Sequence, residues 1–204
     1  MNPIIKKLLL TFISTLSIGC TNRTGVLSDE VCQNNVSKAN SYLNEYYIDG
    51  NEKNLKFSLS IIDSIFNSCP GNNSQLVSLK ITLLLLLRDY DGGFEFVKYL
   101  EENGFDKPYK RNMYLNTFKA LSFEAKGDTI QRNFTFKYIA EEIEGYIKKN
   151  PTDKGAITDL YFTKIRFTSK ETLIEEIDNM KENEHAGEDF YIALKESIKF
   201  APKM

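Results

Sequence analysis

The sequence predicts an all-α fold, an α-solenoid of about four helical hairpins followed by a C-terminal capping helix. From residue 30 onward, apolar residues recur every three or four positions, and no stretch shows the alternation typical of a strand. Glycines, prolines and Asp-Gly pairs separate the periodic segments. The pattern predicts helices over 30–48, 54–69, 74–89, 93–104, 109–126, 129–149, 154–167, 170–183 and 187–200.

Residues 1–19 predict a signal peptide, because two lysines precede an apolar run of eleven residues, 8–18. Such a run is too short to span a membrane as a helix, which needs roughly 20 residues. The junction Gly19-Cys20 resembles the lipobox of bacterial lipoproteins, which implies cleavage before Cys20 and lipid attachment to its thiol. The alternatives are a freely secreted protein and a buried N-terminal helix.

Residues 20–29 predict a lipidated cysteine followed by a tether, since residues 21–28 have no apolar periodicity. In such lipoproteins, an aspartate after the cysteine often retains the protein in the inner membrane, and an acidic cluster resembles a surface-export signal. Thr21 follows Cys20 here, and residues 21–24 contain no acidic residue. We therefore expect anchoring at the outer membrane with the domain facing the periplasm.

The helical-repeat domain is predicted to span 30–204, with hairpin turns near Gly50, Gly92, Gly127 and Thr168. The turn centres lie 42, 35 and 41 residues apart. The segment 76–87 is nearly apolar all round, so we expect it to be the central helix, buried between the first and third hairpins. A helix lying in the membrane plane is the alternative for this segment.

Cys32 and Cys69 are the cysteines that remain once Cys20 is acylated, and an even count in an exported protein favours a disulfide. If 30–48 and 54–69 are antiparallel helices, both cysteines lie at the open end of the hairpin, equally far from its turn. Both also lie on the apolar stripes of their helices. Two unpaired buried thiols are the alternative.

The composition limits the chemistry that this protein can perform. Cleavage after residue 19 removes two of the 26 basic residues, which leaves 24 against 28 acidic residues and a net charge of −4. The basic residues are dispersed, so a nucleic-acid partner is not expected.

His185 is the only histidine, and no nucleophile elbow or phosphate-binding glycine loop occurs. Residues 89–93 are only faintly similar to a calcium loop, with Leu100 where that loop needs glutamate. We expect no catalytic set, no metal and no cofactor.

The hairpins resemble tetratricopeptide repeats over roughly residues 30–183. The resemblance rests on the stretch 120–125 followed by Lys-Gly-Asp at 126–128, on the junction 150–156, and on Pro70 and Pro108 between hairpins. It implies a scaffold that binds peptides or proteins on a concave face, which the first helix of each hairpin lines. On the third hairpin, we expect this helix to bury Tyr114, Phe118, Leu121 and Ala125 and to expose the opposite side.

That opposite side carries the predicted partner-binding residues Asn112, Asn116, Lys119 and Phe123. Packing of Phe123 against the adjoining repeat is the alternative. We expect a lipid-anchored scaffold that binds a protein partner in the cell envelope. An immunity lipoprotein that neutralises an envelope-targeted toxin is the second hypothesis, and a glycan-uptake lipoprotein is a weaker third because the chain has no tryptophan.

Two triplets, 63–65 (Asp-Ser-Ile) and 128–130 (Asp-Thr-Ile), resemble the O-glycosylation sequon of Bacteroidota periplasmic proteins. The second triplet lies in a predicted turn, where a modifying enzyme could reach it. Its use is a hypothesis, which an intact mass equal to peptide plus lipid would exclude.

Overall fold

The computed structural model describes residues 26–69, 73–101, 104–181 and 186–201, and none of these residues lies in a strand. The all-α prediction is confirmed. The predicted leader, Cys20 and His185 lie outside the described residues. The described helices are α1 Asp29–Asp49, α2 Glu52–Ile65, α3 Asn73–Leu86, α4 Tyr90–Tyr99, α5 Lys110–Ala125, α6 Thr129–Ile147, α7 Lys154–Lys164, α8 Lys170–Lys181 and α9 Glu188–Phe200.

Local capping explains where several helices begin and end. The Asp128 side chain accepts a hydrogen bond from Gln131 N at the start of α6, and Asp153 accepts one from Ala156 N at the start of α7. Gly50 and Gly127 adopt φ of +68° and +78°, the left-handed backbone that glycine reaches without strain. Two of the four predicted turns therefore coincide with glycines in this conformation.

The predicted turn at Gly92 is wrong. The chain turns earlier, at Arg88 and Asp89, and the Asp89 side chain caps α4 by accepting a hydrogen bond from Gly92 N. Gly93 lies inside α4 and is buried. A Cβ at this position would stand 2.1 Å from Cε1 of Phe118 on α5, so only glycine fits here. This glycine serves the close approach of two helices rather than a turn.

Four clusters of buried side chains follow one another along the chain. The first joins α1, α2 and α3, the second α3, α4 and α5, the third α5, α6 and α7, and the fourth α7, α8 and α9. The helices α3, α5 and α7 each contribute to two neighbouring clusters. The last helix, α9, packs against both α8 and α7. Because the clusters share helices, each hairpin is stabilised by the next.

The leucine-rich helix α3 is buried, as the sequence predicts. Leu76 and Leu83 are fully covered in the first cluster, and Ile81 is 1% exposed in the second. The charge on Lys80 is neutralised within this apolar helix, since its Nζ lies 2.7 Å from Oδ1 of Asp63 and 4.4 Å from the ring centroid of Phe96. Among the described residues, no helix has the length and apolar character needed to cross a membrane.

Cys32 and Cys69 form a disulfide, with their Cα atoms 5.7 Å apart. Both residues are buried in the first cluster. The bond joins the first turn of α1 to the segment after α2, and Leu27 N donates a hydrogen bond to Ser68 O beside it. The start of the described chain is thereby fixed to the far end of the first hairpin.

Candidate functional site

The predicted partner-binding residues lie on one side of α5, away from its buried side. Lys119 is exposed, whereas Asn112, Asn116 and Phe123 are half-buried. On the buried side, Phe118 is fully covered and Leu121 is 8% exposed. The predicted burial of Ala125 is wrong: this residue is exposed, because it ends α5 at the turn to α6.

The two asparagines contact neighbouring side chains rather than projecting freely. Nδ2 of Asn112 donates to Oε2 of Glu142 on α6 at 2.5 Å and lies 3.5 Å from the Tyr138 hydroxyl. Nδ2 of Asn116 donates to both the backbone and side-chain oxygens of Asn112 at 3.0 Å. Asn112 thus joins α5 to α6, and Asn116 supports Asn112 from the same helix. Because both amides already form these hydrogen bonds, they have fewer donors free for a partner than the sequence indicates.

An apolar row on α6 lies beside them. Ile130, Phe134 and Tyr138 are 78%, 69% and 43% exposed. They are spaced four residues apart, so they follow one another along a single side of the helix. The core side of α6 is different, and it buries Phe136, Ile139 and Ile143. Helix α6 thus has two apolar stripes, of which one is covered by protein and the other faces solvent.

The rows on α5 and α6 run side by side. Asn112 and Glu142 are in contact and lie equally far in sequence from the turn at Gly127, which fixes the register of the two antiparallel helices. In this register, Asn116 is level with Tyr138. We call the combined surface the hairpin face, and it comprises Asn112, Asn116, Lys119, Phe123, Ile130, Phe134 and Tyr138.

Two lysines border the apolar row. Lys119 on α5 has its Nζ 6.0 Å from the ring centroid of Phe123, and Lys137 on α6 has its Nζ 6.0 Å from that of Phe167. Neither lysine forms an ion pair within the part of the chain that the structure describes. Glu141 is also exposed and lies one helical turn after Lys137, so this part of the surface carries charges of both signs.

A network of ion pairs and hydrogen bonds holds the hairpin against α7. Lys107 Nζ lies 2.6 Å from Oδ1 of Asp153, whose other oxygen accepts a hydrogen bond from the Tyr146 hydroxyl at 3.2 Å. The Tyr109 hydroxyl and Lys110 Nζ each lie 2.6 Å from Oδ2 of Asp159, a residue of α7. These contacts tie the loop before α5, the end of α6 and the start of α7 together.

The ionisation of this network follows from its contacts. The hydrogen bond from Lys107 holds the pKa of Asp153 below its ordinary value. Burial, together with the hydrogen bond to Asp159, raises the pKa of Tyr109 well above its usual range. Burial lowers the pKa of Lys110, but the hydrogen bond to Asp159 and its charge raise it above the ordinary value overall. At neutral pH, Asp153 and Lys110 are therefore ionised and Tyr109 is neutral.

The two sequon-like triplets differ in their surroundings. In 63–65, the Ser64 hydroxyl donates to Ile61 O within a helix, and Ile65 is 3% exposed. In 128–130, Thr129 is the first residue of α6 and is exposed, as is Ile130. The second triplet lies at the start of a helix, at the edge of the hairpin face. The first lies in the last turn of α2, where Ser64 is exposed but its hydroxyl is already bonded to the helix backbone. Modification of Thr129 stays a prediction.

No protein-family model, curated protein or solved structure matches this chain. The described residues contain no group of three or more His, Cys, Asp or Glu side chains arranged to hold a metal ion.

Sequence reasoning missed Ile130, Phe134 and Tyr138. Their fourfold spacing is visible in the sequence, but it occurs on the same helix as a second apolar stripe at 136, 139, 140 and 143. Two neighbouring helices cover only part of the surface of the helix between them. Two well-separated apolar stripes on α6 could therefore have indicated that one stripe is exposed.

Proposed function

We propose that this protein is a non-catalytic, lipid-anchored helical-repeat scaffold that holds a protein partner in the bacterial cell envelope. The observation that carries the proposal is the hairpin face, where three large apolar side chains are exposed beside a polar row. Exposed apolar groups arranged contiguously favour a binding surface over a solvated one. Aromatic residues at such positions supply contact area with few rotatable bonds.

The solenoid arrangement with tetratricopeptide-like repeats is part of the proposal. It is supported by the order of the four core clusters, in which α3, α5 and α7 each belong to two neighbours. A fold built this way grows along one axis, and each unit contacts mainly the adjacent units. Such a row of hairpins presents a long surface relative to its mass, which suits a scaffold.

The anchor is supported by the sequence of the leader and by where the domain begins. The first described helix starts at Asp29, nine residues after Cys20. Nine extended residues span at most about 30 Å. A lipid on Cys20 would thus keep the disulfide end of the first hairpin close to the outer membrane and allow the domain to face the periplasm.

The test places a photo-crosslinking amino acid at Phe134 of the full chain, in cells that carry the lipidated protein. We expect one envelope protein to be captured in an amount that is stoichiometric with the lipidated protein. Capture should decrease when Cys20→Ala removes the lipid site. A probe at Phe57, which is 55% exposed on the first hairpin, is the matched control and should capture less of that partner.

Two results would contradict the scaffold. Equal capture from Phe57 and Phe134 would show that the hairpin face has no special role. If the probe captures no resident envelope protein and a toxin supplied from outside binds tightly, an immunity lipoprotein is favoured instead.

A further inference from the structure

We propose that the Cys32–Cys69 disulfide is a redox-controlled latch on the first half of α1, residues 29–38. With the bond intact, this segment stays docked on the first hairpin. With the bond reduced, it opens and closes independently of the remaining helices. Three observations support the latch: the burial of the segment, its composition, and the contacts at the opposite end of the row of helices.

The first half of α1 has a single buried side chain, that of Cys32. Asn35 and Val36 are half-buried, and the other seven residues of the segment are exposed. The second half is held by other contacts, since Ala39 is fully covered and its carbonyl accepts a hydrogen bond of 2.8 Å from the Ser58 hydroxyl on α2. Cys32 is therefore the buried anchor of residues 29–38.

The composition of this segment does not maintain a helix by itself. Residues 29–38 include two asparagines, two valines and a serine, which are weak helix formers. Ser28 caps the helix by accepting a hydrogen bond of 3.4 Å from Val31 N, longer than is usual for such a bond. Isolated helices of this length are marginal in water. The segment thus depends on tertiary contacts to stay helical.

The opposite end of the row is held without a disulfide. Helix α9 is 13 residues long and buries three large side chains, those of Tyr191, Leu194 and Ile198. Lys170 Nζ also donates hydrogen bonds to the carbonyls of Lys199 and Ala201, where α9 ends. The start of α1 has no comparable set of contacts, so we expect reduction to release this end selectively.

Burial of the sulfurs couples the bond to the helix. Cys32 and Cys69 are 5% and 6% exposed, so a reagent reaches the bond most readily while the segment is open. Reduction by a dithiol replaces the S–S bond with two S–H groups, and the two thiols of the reagent become a disulfide. In an oxidising compartment, the disulfide of an oxidoreductase accepts the two electrons in the reverse reaction, and the latch closes.

The latch sets the length of the tether, a consequence that rests on the proposed lipid anchor at Cys20. In the closed state, the tether joins the domain at Leu27, whose amide donates a hydrogen bond to Ser68 O. In the open state, residues 29–38 lengthen the tether by up to about 35 Å, the reach of ten extended residues. The oxidation state of the cysteine pair thus sets how far from the membrane the scaffold can extend.

Hydrogen exchange followed by mass spectrometry tests the latch on the full chain with Cys20→Ala, before and after reduction with dithiothreitol. We expect reduction to speed exchange of the amides of 33–38 by at least about a hundredfold. In the reduced protein, their exchange should not change on adding about 1 M urea, because opening a short segment exposes little surface. The amides of α5 and α6 should exchange more slowly and respond to urea, since global unfolding releases them.

The matched control is Leu194→Ala, which weakens packing at the opposite end of the row and leaves the disulfide intact. It should leave exchange of 33–38 unchanged. The latch is overturned if reduction does not change this exchange, or if the amides of 33–38 and α5 share the same rates and the same urea dependence. The same conclusion follows if Leu194→Ala exposes 33–38 as much as reduction does.

The latch and the scaffold can fail separately. If exchange at 33–38 depends on the disulfide but the probe at Phe134 captures no partner, the latch stands and the scaffold is wrong. If the probe captures a partner and reduction leaves the exchange unchanged, the scaffold stands and the latch is wrong.

Discussion

Loss of the Cys32–Cys69 disulfide should lower the free energy of unfolding substantially. The bond closes a loop with a sequence separation of 37 residues. Restricting a loop of this length in the unfolded chain stabilises the native state by about 4 kcal/mol in the chain-entropy model. Both cysteines are buried, so the reduced thiols remain in the first core cluster. With a denaturant dependence of about 2 kcal/mol per molar urea, the unfolding midpoint should fall by about 2 M.

Urea unfolding followed by circular dichroism measures this difference. The protein carries Cys20→Ala, so that Cys32 and Cys69 are its only cysteines. Samples with and without reductant are compared at pH 7, and the double alanine variant of both cysteines serves as the control that reductant should not affect. A change below about 1 kcal/mol on reduction, or two titratable thiols before reduction, would refute the reasoning.

Three further outcomes test the packing and the electrostatics. Gly93→Ala should destabilise the protein by about 1–3 kcal/mol in urea unfolding, because its Cβ would overlap a fully buried phenylalanine ring of α5. Phe136→Ala should cost about 3–5 kcal/mol, whereas Phe134→Ala should change stability by less than about 0.5 kcal/mol, since only the first side chain is buried. Asp153→Asn should make the protein lose less stability on acidification. The pKa of Asp153 is lowered in the folded state, so its pair with Lys107 contributes its full stabilisation above the unfolded pKa of about 3.9. That contribution is lost as the pH falls through the folded pKa, and the variant lacks it at every pH. Equal acid sensitivity of the variant and the parent would contradict that assignment.

The helical architecture could be predicted closely because its signals are local. All nine predicted segments are helical in the described chain, and their ends differ from the structure by only a few residues. The errors occur where one residue type has two uses. The sequence predicts a turn near Gly92, but Asp89 caps a helix that begins before this glycine, and the neighbouring Gly93 admits the ring of Phe118. A sequence does not distinguish a glycine needed for a turn from one needed for close packing.

The candidate site was predictable only in part. The outward side of α5 follows from its periodicity, so Lys119 is exposed as expected. The hydrogen bond from Asn112 to Glu142 depends on the register between two helices, which periodicity does not contain. The exposed row on α6 was missed for a related reason. Both apolar stripes of α6 have the three- to four-residue spacing that is typical of the buried side of a helix.

The sequence by itself determined the helical class, the order and approximate bounds of the helices, and the burial of α3, since propensity, capping and apolar period act over a few residues. It also identified Cys32 and Cys69 as candidates for a disulfide from their positions on the first hairpin. Only the tertiary structure decided which stripe of α6 is covered and which side chains of α5 are already bonded. Coverage depends on how many neighbours reach each side of a helix, and those neighbours, such as α5 and α7 around α6, are brought together by contacts between residues far apart in the chain.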